Sequence, residues 1–322
     1  MTATHPPHAT PLPRGERERR PRLDAARGVA LLAMAVYHAC WDLTFVGLAD
    51  FDLFENPLWL AARTTILSSF LLLAGIGLVL ATERGLDRPR YFRRLGRLAA
   101  AAAAVSAASY AVFPDSPIFF GVLHHMAAAS VVGLLFVRLP ALVSLLAAAA
   151  AFAAGQSFGF PLFDSPWLRW IGLTSFAPDS NDFVPLLPWI SGLLVGIALA
   201  RLWPSVGRGV LPGGVVGRGL ALAGRHSLAV YLIHQPILFG AVWLIANSGL
   251  VPVESPATRS FQSSCVASCG QTGGSAALCE PRCRCVQSAI TATGQWEAFL
   301  ADRLDAQGRA QIGAAIQSCA AR

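Results

Sequence analysis

PLWLAARTTILSSFLLLAGIGLVLA, residues 57–81, holds a single charge, Arg63, in twenty-five positions. A helix rises about 1.5 Å per residue, so about 20 residues cross a hydrocarbon slab of roughly 30 Å. This stretch is therefore long enough to span a bilayer. Comparable apolar stretches flank it at 28–49, 95–113, 117–137, 139–158, 184–203 and 226–249. The expected fold class is all-α, a polytopic transmembrane bundle of about seven spans. Composition agrees, because 54% hydrophobic residues against 13% charged is too apolar for an ordinary soluble core. The charge of +7 does not point to nucleic acid. All 25 basic residues are arginine, and they cluster between the apolar runs rather than along one stripe.

Arginine placement sets the expected orientation. Arg14, Arg17, Arg19, Arg20, Arg22 and Arg27 precede or open the first span, and Arg84, Arg88, Arg90, Arg93, Arg94 and Arg97 fill the second connection. Arg138 follows the fourth span, and Arg201, Arg208, Arg218 and Arg225 lie between the sixth and seventh. The alternate connections hold only Arg63 and Arg169, beside Asp50, Asp52, Glu55, Asp115, Asp164, Asp179 and Asp182. The positive-inside rule then puts the N-terminus in the cytoplasm and the C-terminus on the far side, in a periplasm or other oxidising space. Residues 1–21, rich in proline and alternating charge, read as a disordered cytoplasmic arm. The stretch from Gly28 to Ala49 exceeds a signal-peptide core, so it is expected to stay as an anchor. The connection 159–183 contains Trp167, Trp170 and Phe176, as suits a segment lying at the membrane interface.

Residues 22–250 form the expected membrane domain, and 251–322 a periplasmic tail. Six of the seven cysteines, Cys265, Cys269, Cys279, Cys283, Cys285 and Cys319, fall in that tail. An even number in an oxidising compartment points to disulfides, with the connectivity left open. Zinc is the rival reading, but the spacing lacks the usual Cys-x2-Cys pair and no histidine lies nearby. Trp296, Phe299, Leu300, Leu304 and Ile312 predict short helices between Cys285 and Cys319.

Ionisable groups inside spans are costly and therefore candidates for function. His38 and Asp42 stand four residues apart on the first span, so they share a helix face. A carboxylate beside an imidazole fixes its tautomer and raises its basicity, as a general base requires. A polar pair gluing helices together is the equal alternative. His124 lies about seven residues into the fourth span, beside His125. His234 lies near the middle of the last, just before Pro236, which frees a backbone carbonyl. No helical His-x3-His pair accompanies them, and no metal is expected.

Four motifs then resemble one family in its own order. They are Arg22-Leu23-Asp24 through Arg27-Gly28 with Met34, His38 and Asp42; Phe120-Gly121-Val122-Leu123-His124; Asp182-Phe183-Val184-Pro185-Leu186-Leu187-Pro188-Trp189; and Gly224-Arg225-His226-Ser227-Leu228 leading to Tyr231-Leu232-Ile233-His234-Gln235-Pro236. Together they cover about residues 22–248, and the chain resembles bacterial relatives of the heparan-alpha-glucosaminide N-acetyltransferase catalytic domain. The resemblance implies an acyltransferase that takes an acetyl group from acetyl-CoA on the cytoplasmic side. It would deliver that group to an amino sugar or hydroxyl of an envelope glycan on the far side. On that reading Arg27 and Arg225 are the candidates to hold CoA phosphates, and His38 with Asp42 is the preferred pair either to deprotonate the acceptor or to carry the acetyl group briefly. His124 and His234 would orient the acceptor or stabilise the oxyanion, and Asp182 would contact a sugar hydroxyl. The lysosomal enzyme carries its reactive histidine between its first two spans, whereas 50–63 here contains none.

Two other functions fit such a chain. In a proton-coupled transporter or flippase, the intramembrane His and Asp groups would relay protons. In a non-catalytic envelope scaffold, the tail would recruit a partner. The lipid bilayer is a partner on every reading.

Overall fold

The computed structural model describes residues 20–209, 213–249 and 256–320, and among them there is no strand. The arm expected over 1–21 lies outside the described residues except for Arg20 and Pro21. The chain forms two compact units. One takes the described residues up to Tyr37 together with Leu53–Pro236; the other takes His38–Asp52 and the described residues from Ile237 onward. Helices α1 (Pro21–Val46) and α8 (Ser227–Asn247) each contribute to both.

In the first unit, local chemistry starts the helices where the apolar runs begin. Asn56 caps α2 (Pro57–Thr82) by accepting the Leu58 N–H at 2.9 Å, with Pro57 in the first turn. Asp87 does the same for α3 (Arg88–Val112) through the Arg90 N–H at 3.1 Å. Next come α4 (Val122–Gly133), α5 (Ala141–Ser157), two 3-10 turns at Pro161–Asp164 and Arg169–Ile171, α6 (Leu186–Leu202) and α7 (Gly214–Arg225). Among the described residues, four helices, α1, α2, α3 and α8, are long and apolar enough to cross a membrane. The shorter apolar helices α4, α5 and α6 occupy the other three expected stretches. α4 is prolonged by three-residue turns, with Leu134, Leu135, Phe136 and Leu139 each donating to the residue three before it. The chain is thus a multi-pass, all-helical membrane protein. Among the described residues of this unit, α7 is an α-helix that the sequence reading leaves as connection; its twelve residues include Arg218 and Arg225.

Glycine decides how closely these helices meet. A Cβ on Gly75 would overlap the Leu193 carbonyl of α6, and one on Gly196 the Leu72 carbonyl of α2, so α2 and α6 touch backbone to backbone. Leu73, Ile76, Ile190, Leu193, Leu194 and Ile197 close the core around that contact. A Cβ on Gly28 would likewise strike the Leu220 carbonyl, and one on Gly224 the Asp24 carbonyl, which locks α7 onto the first turns of α1. At the same end Arg20 is buried. It donates to the carbonyls of Pro204 (2.9 Å) and Val206 (2.8 Å) and pairs with Glu83 at 3.2 Å.

In the second unit, α9 (Pro256–Gln271), α10 (Ala276–Ala292), α11 (Trp296–Leu300) and α12 (Ala306–Ala320) form the tail. Cys265–Cys283 and Cys269–Cys279 join α9 to α10, and Cys285–Cys319 joins α10 to α12. All six tail cysteines are therefore in disulfides, and Cys40 is the one free thiol of the seven. A small aromatic cluster of Phe261, Trp296 and Phe299, with centroids 5.2–5.9 Å apart, joins α9 to α11, and Ile290 of α10 is buried.

Candidate functional site

The motif around Gly121 sets one end of the site. Segment 181–184 lies along 116–120, with the Asn181 N–H donating to Ser116 O (3.1 Å) and the Val184 N–H to Phe120 O (3.0 Å). This places Asp182 at the N-terminus of α4, where its Oδ2 accepts the Val122 N–H at 3.0 Å. A carboxylate there satisfies an orphan donor and meets the positive end of the helix dipole. Gly121 is required at this point, because a Cβ would overlap the Asp182 carboxylate. Asp182 keeps some exposed surface, yet protein atoms crowd it densely, and the crowding governs its charge. Burial pushes the carboxyl above the ordinary carboxylate range, against the opposing pull of the Val122 N–H and the Arg63 charge. Tyr231 of α8 lies within electrostatic reach of the same carboxylate, and Arg63 within reach of Tyr37.

Three histidines of this unit, His124, His125 and His234, differ in role. His124 Nδ1 accepts the Gly121 N–H at 3.3 Å, so in the neutral ring Nε2 carries the proton and donates to Ser106 Oγ, also at 3.3 Å. Ser106 in turn donates to Ile118 O at 2.6 Å. Both ring nitrogens of His124 thereby tie the 117–121 segment to α3. His125 is fully buried and pairs through Nδ1 with Pro185 O at 3.0 Å, which fastens α4 to the start of α6. His234 Nδ1 donates to Tyr231 O at 2.6 Å, so its Nε2 is the acceptor nitrogen, the form a base takes.

A cavity of about 480 Å³ lies in the same unit, a size that suits a small-molecule ligand. Arg94 and Arg97 of α3 and Arg225 and His226 at the end of α7 stand on its wall. Leu98, Leu123, Met126, Leu228 and Leu232 give it an apolar lining, and Tyr231 also faces it. Arg225, Arg94, Arg97 and His226 all keep exposed surface, so other parts of the protein do not seal the cationic wall. Guanidinium groups of this kind suit phosphate oxygens.

Of the residues expected from the sequence, Arg225 faces this cavity. Arg27 is not part of the wall and instead pairs with Asp24 at 2.9 Å, one turn away on α1, with its Nη2 where a Gly77 Cβ would be 2.9 Å away. His38 and Asp42 belong to the second unit, one turn apart on α1, His38 half-buried and Asp42 buried. Arg94 and Arg97 stand among the inner-face arginines of the sequence, where nothing singles them out from the charges that orientation requires. Their spacing of three places them on one face of α3, and that periodicity was the available signal. Tyr231 stood inside a quoted motif without an assigned role. Arg63 stands out as the single charge of residues 57–81, but nothing in local sequence ties it to Asp182.

No curated protein matches the chain, and no solved structure does. One family does match, described as heparan-alpha-glucosaminide N-acetyltransferase, catalytic, over residues 19–236. That range contains the Gly28–Leu220 and Gly224–Asp24 contacts, the Asp182 cap and every residue of the cavity wall, and it ends at Pro236 before the tail. With more than half its length matched, the chain belongs to the heparan-alpha-glucosaminide N-acetyltransferase catalytic-domain family, a family of membrane acyltransferases.

Proposed function

We propose that this protein takes an acetyl group from acetyl-CoA on the cytoplasmic side of a bacterial inner membrane and transfers it to an amine or hydroxyl of an envelope glycan. The observation that carries the reading is the cavity, whose wall runs from the arginines Arg94, Arg97 and Arg225 to Tyr231. Arginines hold the phosphates of CoA as bidentate partners, and the leucine and methionine lining suits its pantetheine arm. Arg27, bound to Asp24, steadies the first turns of α1. Tyr231 and Asp182 mark the acceptor end, where Asp182 takes a hydroxyl of the incoming sugar.

The chemistry needs one base. His38, oriented by Asp42 one turn along α1, is the proposed base, and the neutral tautomer of His234 makes it a second acceptor of protons. The base removes the proton from the acceptor N–H or O–H, and the nucleophile bonds to the thioester carbonyl carbon. The C–S bond breaks, and CoA leaves as the thiol after taking up a proton. The carbonyl oxygen carries negative charge in between, so a nearby donor lowers the barrier. His124 keeps the α4 end in register for this step.

The test is purified protein given radiolabelled acetyl-CoA with a panel of glucosamine-containing glycans. Label should pass to a glycan in the wild type and fall at least tenfold in a His38→Ala variant. Absence of transfer and of CoA release by the wild type would contradict the reading, and unchanged turnover in His38→Ala would remove that residue as base.

A further inference from the structure

The tail lies outside the matched family range, yet it reaches the end of the helix that carries His38 and Asp42. α1 closes with Gly47 at φ 88°, the left-handed conformation that glycine adopts without strain. The Leu48 N–H donates to Leu43 O at 2.8 Å and the Gly47 N–H to Thr44 O at 3.2 Å, the paired pattern of a Schellman cap. That cap leaves the Phe45 carbonyl and the second lone pair of Thr44 O to find other donors. Arg259, in the first turn of α9, supplies them: Nη1 donates to Thr44 O and Nη2 to Phe45 O at 2.8 Å. A cation at a helix C-terminus also meets the negative end of the dipole. Around it, Thr44 Oγ1 donates to Cys40 O at 3.0 Å and accepts the Phe51 N–H at 3.3 Å. Phe45 is stacked on Trp41 and touches Phe239 of α8. α9 is in turn held to α10 by two disulfides.

We propose that the tail is a clamp on the end of α1, and that Arg259 is a positioning residue for acyl transfer. It fixes the last turns of α1, and through them the rotation and depth of His38 and Asp42. The catalytic half of this inference rests on the reading of His38 and Asp42 given above; the clamp does not. The disulfides make the clamp dependent on oxidation, because without them α9 is no longer braced on α10.

Two readouts separate these parts. Hydrogen exchange of the amides of residues 43–49 and alkylation of Cys40 report on the end of α1 without any activity. Two charge-assisted hydrogen bonds are lost in Arg259→Ala, so both rates should rise about tenfold or more. Arg259→Lys, which keeps a cation and at least one donor, should recover part of the protection. Non-reducing mass analysis establishes that all three disulfides persist in each variant. In transfer assays Arg259→Ala should lower kcat at least fivefold with an unchanged KM for acetyl-CoA, and reduction of wild-type protein should do the same. Wild-type exchange and alkylation in Arg259→Ala would overturn the clamp. Faster exchange with unchanged kcat would overturn the positioning role. Faster exchange in a protein whose wild type transfers nothing would leave the clamp standing and remove the acyltransferase reading instead.

Discussion

Replacing Asp182 separates its two roles, hydrogen-bond acceptor and charge. In an Asp182→Ala variant the Val122 N–H, now accepted at 3.0 Å, loses its partner. Removing such a cap costs about 1 kcal/mol, within a range of roughly 0.5–2. At roughly 2–4 °C per kcal/mol for a domain of about 200 residues, the melting temperature should fall by about 1–8 °C. An Asp182→Asn variant keeps an acceptor oxygen and discards a charge that its crowded surroundings disfavour. It should therefore be at least as stable as the wild type at pH 7. The sign with pH follows from the raised carboxyl. As pH climbs above the ordinary value of 3.8, the unfolded chain gives up this proton before the folded one does. The folded state then binds more protons, so the stability that Asp182 contributes declines through that window and stays low above it. The difference in melting temperature, variant minus wild type, should thus grow from about pH 4 upward and level off once the folded carboxyl has ionised. Thermal unfolding in detergent between pH 4 and 8 measures it. An Asp182→Asn variant as unstable at pH 7 as Asp182→Ala would refute the reasoning, because it would show that the helix dipole and Arg63 favour the charge more than burial opposes it.

Gly28→Ala and Gly224→Ala should each destabilise by about 1–3 kcal/mol, since the added carbon meets the backbone of Leu220 or Asp24; wild-type melting in both would show that α7 is not locked on α1. Asp164 accepts the Ser175 hydroxyl and N–H (2.8 Å for the latter), which hold its carboxyl below the usual range. The order it lends to the 159–176 connection should persist at neutral pH and be lost only as pH falls through that lowered value, so an Asp164→Asn variant should be cleaved faster by protease at pH 7. Equal cleavage would show that Arg169, bonded to Asp164 O at 2.8 Å and lying 5.2 Å over Phe176, suffices alone. Alkylation under denaturing conditions should label one cysteine before reduction and seven after it; three or more before reduction would contradict the disulfides.

Apolar length made the helices legible, because a span must satisfy its backbone internally and so appears as a long run. α7 escaped because twelve residues with two arginines carry no such signal, although its role depends on Gly224, a residue quoted in a motif. The site was legible in its parts and not in its assembly. Phe120-Gly121-Val122 and Asp182 stood out separately, but that one caps the helix begun by the other is a contact across sixty residues. Adjacent histidines hid a similar difference. Sequence reasoning favoured His124, whereas His125 is the one fully buried and bonded to Pro185. Arginine asymmetry leaves Arg94 and Arg97 indistinct among the inner-face arginines, since charges required for orientation and charges required for phosphate look alike in a count. Six cysteines announced disulfides but permitted fifteen pairings, and only the packing of α9, α10 and α12 selects one.

Equilibrium binding of CoA to the detergent-solubilised protein tests the central claim most directly. The wild type should bind CoA with an affinity that falls as salt rises, and an Arg97→Glu/Arg225→Glu double variant that keeps the wild-type melting temperature should bind at least a hundredfold more weakly. Absence of CoA binding by the wild type, or equal binding by the double variant, would contradict the assignment of the arginine-lined cavity to the acyl donor.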